Sequence, residues 1–115
     1  MVITRRARLD RVFHALADPT RRRIVHDLAR GDRTVMDLAR QFAMSQPAVT
    51  KHLNVLEAAG LIARHREGRR RRCALRPRAL RRPAAWLRRY ESLWHQRLDA
   101  LERLLAEPPT EEESP

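Results

Sequence analysis

Two groups of residues in this chain carry usable chemistry, and both suit hydrogen bonding to nucleic acid. The first is the run Ser45, Gln46, Pro47, Thr50, Lys51 and Asn54, threaded between the apolar residues Val49, Leu53 and Leu56. Those three apolar positions recur at helical steps. They therefore mark one buried face and turn Pro47, Thr50, Lys51 and Asn54 outward, with Gln46 at the flank. Short amides, a hydroxyl and a single ammonium can bond base edges and phosphates without crowding. A face that is only solvated would more typically carry glutamate and lysine. Here the one acid is Glu57, beyond the first turns. The second group follows at once: Arg64, Arg66, Arg69, Arg70, Arg71 and Arg72. Guanidinium groups in such number meet phosphates, or let one arginine enter a minor groove.

Other reactive side chains offer less. Cys73 is the sole cysteine and follows four arginines, and nearby cations lower a thiol's pKa. Strand alternation nevertheless points it inward with Leu75, where cysteine acts as a small hydrophobe. A single cysteine excludes an internal disulfide and a cysteine-rich zinc site. His95, Asp99 and Glu102 share a helical face, but no second histidine completes a ligand set, so they read as surface residues pairing with arginines. His14, His26 and His65 are scattered. The chain has no Gly-rich phosphate loop, no activated serine or cysteine and no carboxylate pair in a plausible pocket, so neither an enzyme nor a cofactor is expected.

The elements that position these residues are legible from periodicity and caps. Leu9, Val12, Phe13 and Leu16 predict a first helix over about residues 6–17. Asp18 caps a second, with Pro19 at its first position, Ile24, Val25 and Leu28 inward and Gly31 at its end. Thr34 caps a third, Asp37 completes something like a capping box, and Val35, Leu38, Ala39 and Phe42 form its stripe. Ser45 caps the fourth, which stops at Ala58–Ala59–Gly60. Two short stretches around Gly68–Arg69 predict a hairpin. Pro83 opens a last helix to about Ala106, with Trp86, Leu87, Tyr90, Leu93, Trp94, Leu98, Leu101 and Leu105 along it. The expected fold is mainly α with a small β-hairpin: about five helices plus a two-stranded wing, the parts of a winged helix-turn-helix. In that arrangement the helix beginning at Ser45 enters the major groove and the wing arginines hold the backbone. Residues 1–106 are expected to form one domain and the acidic residues 107–115 a solvated tail.

Composition agrees. The 115 residues carry a net charge of +11, from 25 Lys+Arg against 14 Asp+Glu, and Lys51 is the only lysine. Such an excess favours a polyanionic partner. Basic clusters fall at residues 5–8, 21–23, 64–72 and 76–82, the densest around a glycine in a hairpin rather than along one face of a long amphipathic helix. Nucleic acid is therefore preferred to a membrane surface. No apolar run approaches the ~20 residues needed to span a bilayer, and no leader-like apolar segment opens the chain. A cytoplasmic location is expected. The apolar stripe of the last helix is wider than a small domain needs, and Trp86, Tyr90 and Trp94 are costly to leave in water, which points to self-association.

Taken together, "LADPTRRRIV", "SQPAVTKHLNVLEAAGLI" and "REGRRRRCAL" closely resemble the ArsR/SmtB-type winged-helix repressors of bacteria. The likeness is strong over residues 15–75 and looser in the last helix, which resembles that of a metal-independent branch. The resemblance implies a homodimer built mainly from the first helix (Leu9, Val12, Phe13) and the last (Trp86, Leu87, Tyr90, Trp94, Leu98, Leu101, Leu105). It implies binding to palindromic double-stranded operators and repression of nearby genes. By position it places Gln46, Thr50, Lys51 and His52 on DNA, with Arg66, Arg69 and Arg70 at the wing tip. Where metal-sensing members carry a cysteine pair, this chain reads "TVMDL", with Thr34 and Met36 at the thiolate positions, so that metal site is absent. Two alternatives stand beside this reading: a basic winged-helix adaptor for protein or RNA without an operator, and a metal-responsive repressor using the last helix.

Overall fold

The computed structural model describes residues 5–106, so the acidic stretch 107–115 lies outside the described residues. The described residues divide into two compact units, one ending at Pro83 and the other beginning at Ala84. The first begins with helix α1 (Arg5–Leu16) and helix α2 (Pro19–Arg30). The Asp18 carboxylate accepts from the Arg21 backbone N–H at 3.0 Å, and Pro19 sits where its missing N–H is not needed. Arginines of α2 also close α1. Arg21 Nε donates to the Ala15 carbonyl at 2.7 Å and Arg22 Nη1 to the Leu16 carbonyl at 2.9 Å, satisfying C-terminal carbonyls that have no helical partner. Arg23 lies over the Phe42 ring, 5.0 Å from its centroid. The basic cluster at 21–23 is thus committed inside the protomer.

Strand β1 (Arg33–Thr34) and helix α3 (Val35–Gln41) follow. The full capping box forms: the Thr34 hydroxyl accepts from the Asp37 N–H at 3.1 Å, and the Asp37 carboxylate from the Thr34 N–H at 3.3 Å. Threonine at this position therefore serves as a helix cap. The turn into helix α4 (Gln46–Ala58) passes through Ala43 at φ 51°, with the Met44 N–H reaching back to the Ala39 carbonyl at 2.9 Å. Ser45 caps α4 through the Ala48 N–H. At the other end Gly60, at φ 77°, supplies the left-handed residue of the same C-terminal motif, closed by Leu61 N–H to the Leu56 carbonyl at 3.0 Å.

The wing is strand β2 (Ile62–Glu67) and strand β3 (Arg70–Leu75), joined by the two-residue turn Gly68–Arg69 with Gly68 at φ 62°. One feature differs from the two-stranded expectation. β1 pairs with β3, Arg33 opposite Cys73 and Thr34 opposite Arg72, giving a three-stranded antiparallel sheet in the order β1-β3-β2. A two-residue strand has no periodicity to betray it. A short 3-10 helix (Pro77–Leu80) then leads into helix α5 (Arg81–Ala106), which starts two residues before Pro83. Proline is tolerated there because the first-turn N–H groups lack helical acceptors anyway.

One core holds the first unit together: Ala15 from α1, Ile24 from α2, Leu38 from α3, Val49, Leu53 and Leu56 from α4, Leu61, and Ile62 and Cys73 from the sheet, all essentially inaccessible. Burying each large aliphatic side chain contributes about 1.5–3 kcal/mol. Val12 belongs to this core as well, at 4% exposure. That corrects its expected place at a dimer contact, since almost none of its surface is left for a partner. Leu9 and Phe13 are half-buried.

The second unit is α5 beyond Pro83. Trp86, Leu87, Tyr90, Leu93, Trp94, Leu98, Leu101, Leu104 and Leu105 are all exposed, Trp94 by 62%. The Trp86 and Tyr90 rings stack at 4.4 Å between centroids, tilted by 47°. His95 Nε2 lies 3.4 Å from Glu91, one turn earlier, both exposed. Among the described residues no three metal-ligating side chains converge, and no helix is long and apolar enough to cross a membrane.

Candidate nucleic-acid interface

With its apolar face fixed by Val49, Leu53 and Leu56, α4 presents its opposite face as the sequence requires. Ser45, Gln46, Pro47, Lys51 and Asn54 are exposed and Thr50 is half-exposed. An open groove of about 1010 Å³ runs from the start of α4 to the wing. Gln46, Pro47 and Thr50 form one wall, and Arg66, Arg69, Arg70 and Arg71 the other. Residues far apart in sequence, a helix N-terminus and a hairpin tip, therefore face one space.

The electrostatics of the groove are one-sided. Among the described residues its only acid is Asp37, already held in the capping box. Hydrogen bonds from Thr34 hold the Asp37 carboxyl below its ordinary value, helped by the charges of Arg40 and Arg70. Arg66 and Arg71 stand directly opposite in register. Like charges in that relation repel. Neither arginine pairs with an acid among the described residues. The wing tip thus carries an electrostatic cost that a polyanion would relieve.

Not every predicted site residue joins this groove. Arg64 turns to α4. Its Nε donates to Glu57 Oε2 at 2.9 Å, and its Nη2 donates to Glu57 Oε1 at 3.2 Å and to Asn54 Oδ1 at 2.7 Å. That pairing lowers the Glu57 pKa and raises that of Arg64. Arg64 and Asn54 therefore brace the wing against the helix. Arg72 is bound to Glu67 at 2.6 Å. His52 Nδ1 faces the Asp18 carboxylate at 3.9 Å, which turns its ring toward α2. The Ser45 hydroxyl is occupied as a cap. Lys51 is exposed but does not line the groove.

Conversely, Met36 and Arg40 of α3 line the groove beside Gln46, and neither was among the expected contacts. The signal for Arg40 was present in part, since Leu38 and Ala39 face the core and leave it outward. Its nearness to α4 depends on the turn at Ala43. Cys73 is fully buried, and burial pushes its thiol pKa up despite Arg64 nearby.

Comparison with known proteins adds an independent line. Residues 18–64 match the model of "Bacterial regulatory protein, arsR family". Transcriptional repressor SdpR of Bacillus subtilis is 45% identical over 60 residues, which are 52% of this chain and 67% of that protein. Several other curated relatives are matched over half of their length or less. The crystal structure of an ArsR family transcriptional regulator superposes with a TM-score of 0.72 at 39% identity, covering 82% of this chain and 97% of that one. A homodimeric winged helix-turn-helix DNA-binding domain from Mycobacterium bovis, solved in solution, gives a TM-score of 0.62 at 29% identity, over 76% of this chain and 83% of its own.

Proposed function

The chain belongs to the arsR family of bacterial regulatory proteins, and on that premise we propose that it represses transcription by binding an inverted-repeat operator as a homodimer. Members of the family are transcriptional regulators rather than enzymes. The observation that carries the reading is the shared groove: the exposed start of α4 faces four wing arginines, none of which forms an ion pair with an acid among the described residues.

In this mechanism α4 enters the major groove from its N-terminal end. Gln46 and Thr50 bond base edges, each well-formed contact being worth about 1–3 kcal/mol of discrimination. Arg66, Arg69, Arg70, Arg71 and Lys51 meet phosphates, which fixes register without reading sequence. The Arg64–Glu57–Asn54 brace holds wing and helix at the spacing both contacts need. Pairing of two copies through the exposed apolar face of α5 would remove Trp86, Tyr90 and Trp94 from water. A two-fold dimer sets its recognition helices about one DNA turn (~34 Å) apart, which calls for a palindromic site. This places the protein with the DNA, in the cytoplasm.

Footprinting on the DNA upstream of its own gene tests the proposal. The expected result is a protected palindrome whose sequence discrimination erodes in Thr50→Ala and Gln46→Ala. Binding of equal strength to unrelated sequences overturns it in favour of a basic adaptor. Loss or gain of operator affinity on adding zinc would favour a metal-responsive repressor instead.

A further inference from the structure

A second concavity lies away from the DNA-facing groove. It is a cleft of about 420 Å³ among α1, the end of α4, the 3-10 helix and the first turn of α5. Its apolar lining includes Leu9, Ala79 and Pro83, with Ala59 beside them. Around it stand four guanidinium groups, those of Arg8, Arg11, Arg78 and Arg82. Among the described residues no acid lines the cleft. None of the four arginines pairs with a carboxylate among the described residues. Asp10 lines a neighbouring shallow hollow with Arg11 and His14.

Four like charges around one apolar floor repel each other and gain from an anion. They also hold in place a surface that an apolar body would cover. The four guanidinium groups disfavour only the pairing of this cleft with the same cleft of a second copy on a two-fold axis. Its volume falls at the lower end of the range of small-molecule sites. We propose that this cleft binds an anionic amphiphile, a carboxylate carried on a compact apolar chain or ring, with the headgroup held by Arg78 and Arg82 and the body on the floor beside Leu9 and Pro83.

The site has a regulatory consequence, because Ala58, Ala59 and Gly60 form one of its walls. These residues end the helix whose other end faces the operator. An occupant that shifts or holds the α4 terminus changes the fit of Gln46 and Thr50 to DNA, and the linkage is reciprocal. This coupling rests on the operator-binding reading. Binding to the cleft does not.

Calorimetric titration of the full chain with octanoate, 1-octanol and octyltrimethylammonium tests the site. Octanoate should saturate one site per chain, with the neutral and cationic compounds at least about tenfold weaker, the expected worth of a charge-assisted hydrogen bond. Arg78→Ala and Arg82→Ala should each weaken octanoate about tenfold. Both side chains are exposed, so unchanged thermal melting confirms that the variants fold. Arg88→Ala, an exposed arginine on α5 outside the cleft, should leave affinity unchanged. Absence of saturable octanoate binding, equal binding of 1-octanol, or equal loss in Arg88→Ala overturns the site. Operator affinity is then measured with and without octanoate. An unchanged affinity overturns the coupling alone, and failure of the chain to bind DNA counts against the proposed function while the calorimetry still decides the site.

Discussion

Arg64→Ala and Arg70→Ala should behave differently, although the two arginines stand on the same basic wing. The Arg64 guanidinium is engaged by Glu57 and Asn54, and its side chain is only 19% exposed. Arg70 is exposed, lines the groove and pairs with no acid among the described residues. Each protomer offers Lys51, Arg66, Arg69, Arg70 and Arg71 to phosphates. At ~0.9 per phosphate, a dimer using all of them would show a slope of log affinity against log salt near −9. Removing Arg70 from both copies should flatten that slope by about 1.8. Removing Arg64 should leave it unchanged, because that charge is already neutralised within the protomer. Its cost falls instead on stability. The pair is partly exposed and screened, so the loss is about 0.5–1 kcal/mol, a fall in Tm of roughly 2–8 °C. Fluorescence anisotropy of a labelled operator across a KCl series, beside thermal melts, measures both. A slope that flattens as much in Arg64→Ala as in Arg70→Ala would refute the argument, for it would place Arg64 on a phosphate.

Trp94→Glu, at a position already 62% exposed, should leave the chain folded but monomeric by light scattering, with operator affinity sharply reduced; a wild type that is itself monomeric would defeat the dimer. Acid should destabilise the fold. Asp18, Asp37 and Glu57 are held below the ordinary carboxylate range in the folded chain. The unfolded chain therefore binds protons first as pH falls, and the stabilisation, complete above about pH 4–5, is lost as pH drops through the folded values. Tm should fall between roughly pH 5 and 3, and less steeply in Asp37→Asn than in the wild type; parallel curves would show that the capping box contributes nothing to the trend. Cys73, buried with a raised pKa, should resist iodoacetamide at neutral pH until denaturant is added; rapid alkylation of the native chain would contradict its burial.

What was legible in the sequence was local. Asp18, Thr34 and Ser45 cap helices because the capping bond spans three residues, and the residue types alone announce it. The stripe Val49, Leu53, Leu56 was readable for the same reason, since helical spacing needs no knowledge of partners. What escaped depends on contacts across the fold. β1 exists only because β3 lies beside it. Arg40 joins the interface only because the turn at Ala43 folds α3 against the start of α4. Val12 fell to the core rather than to a partner because α1 packs inward on that residue. Hydrophobic spacing identifies an apolar residue without saying which neighbour covers it.

The arginines show why charge counting alone could not locate the site. In sequence they are near-equivalent, and net charge treats them so. In the fold Arg21 and Arg22 close α1, Arg23 covers Phe42, Arg64 braces α4 and Arg72 answers Glu67. Among those without an acid partner in the described residues, two groups gather at the ends of α4, one on the wing beside its start and one around the cleft beside its end. A 13-residue helix is about 20 Å long, so one rigid rod separates the two unpaired groups. Between them Glu57 and Asn54 tie that rod to the wing through Arg64. On the proposed coupling, a shift of the α4 terminus at Gly60 reaches both the helix start and, through this brace, the wing. Cutting the brace with Glu57→Gln should thus leave octanoate binding intact while weakening its effect on operator affinity. If the effect of octanoate survives in Glu57→Gln at full strength, the coupling must run along α4 alone.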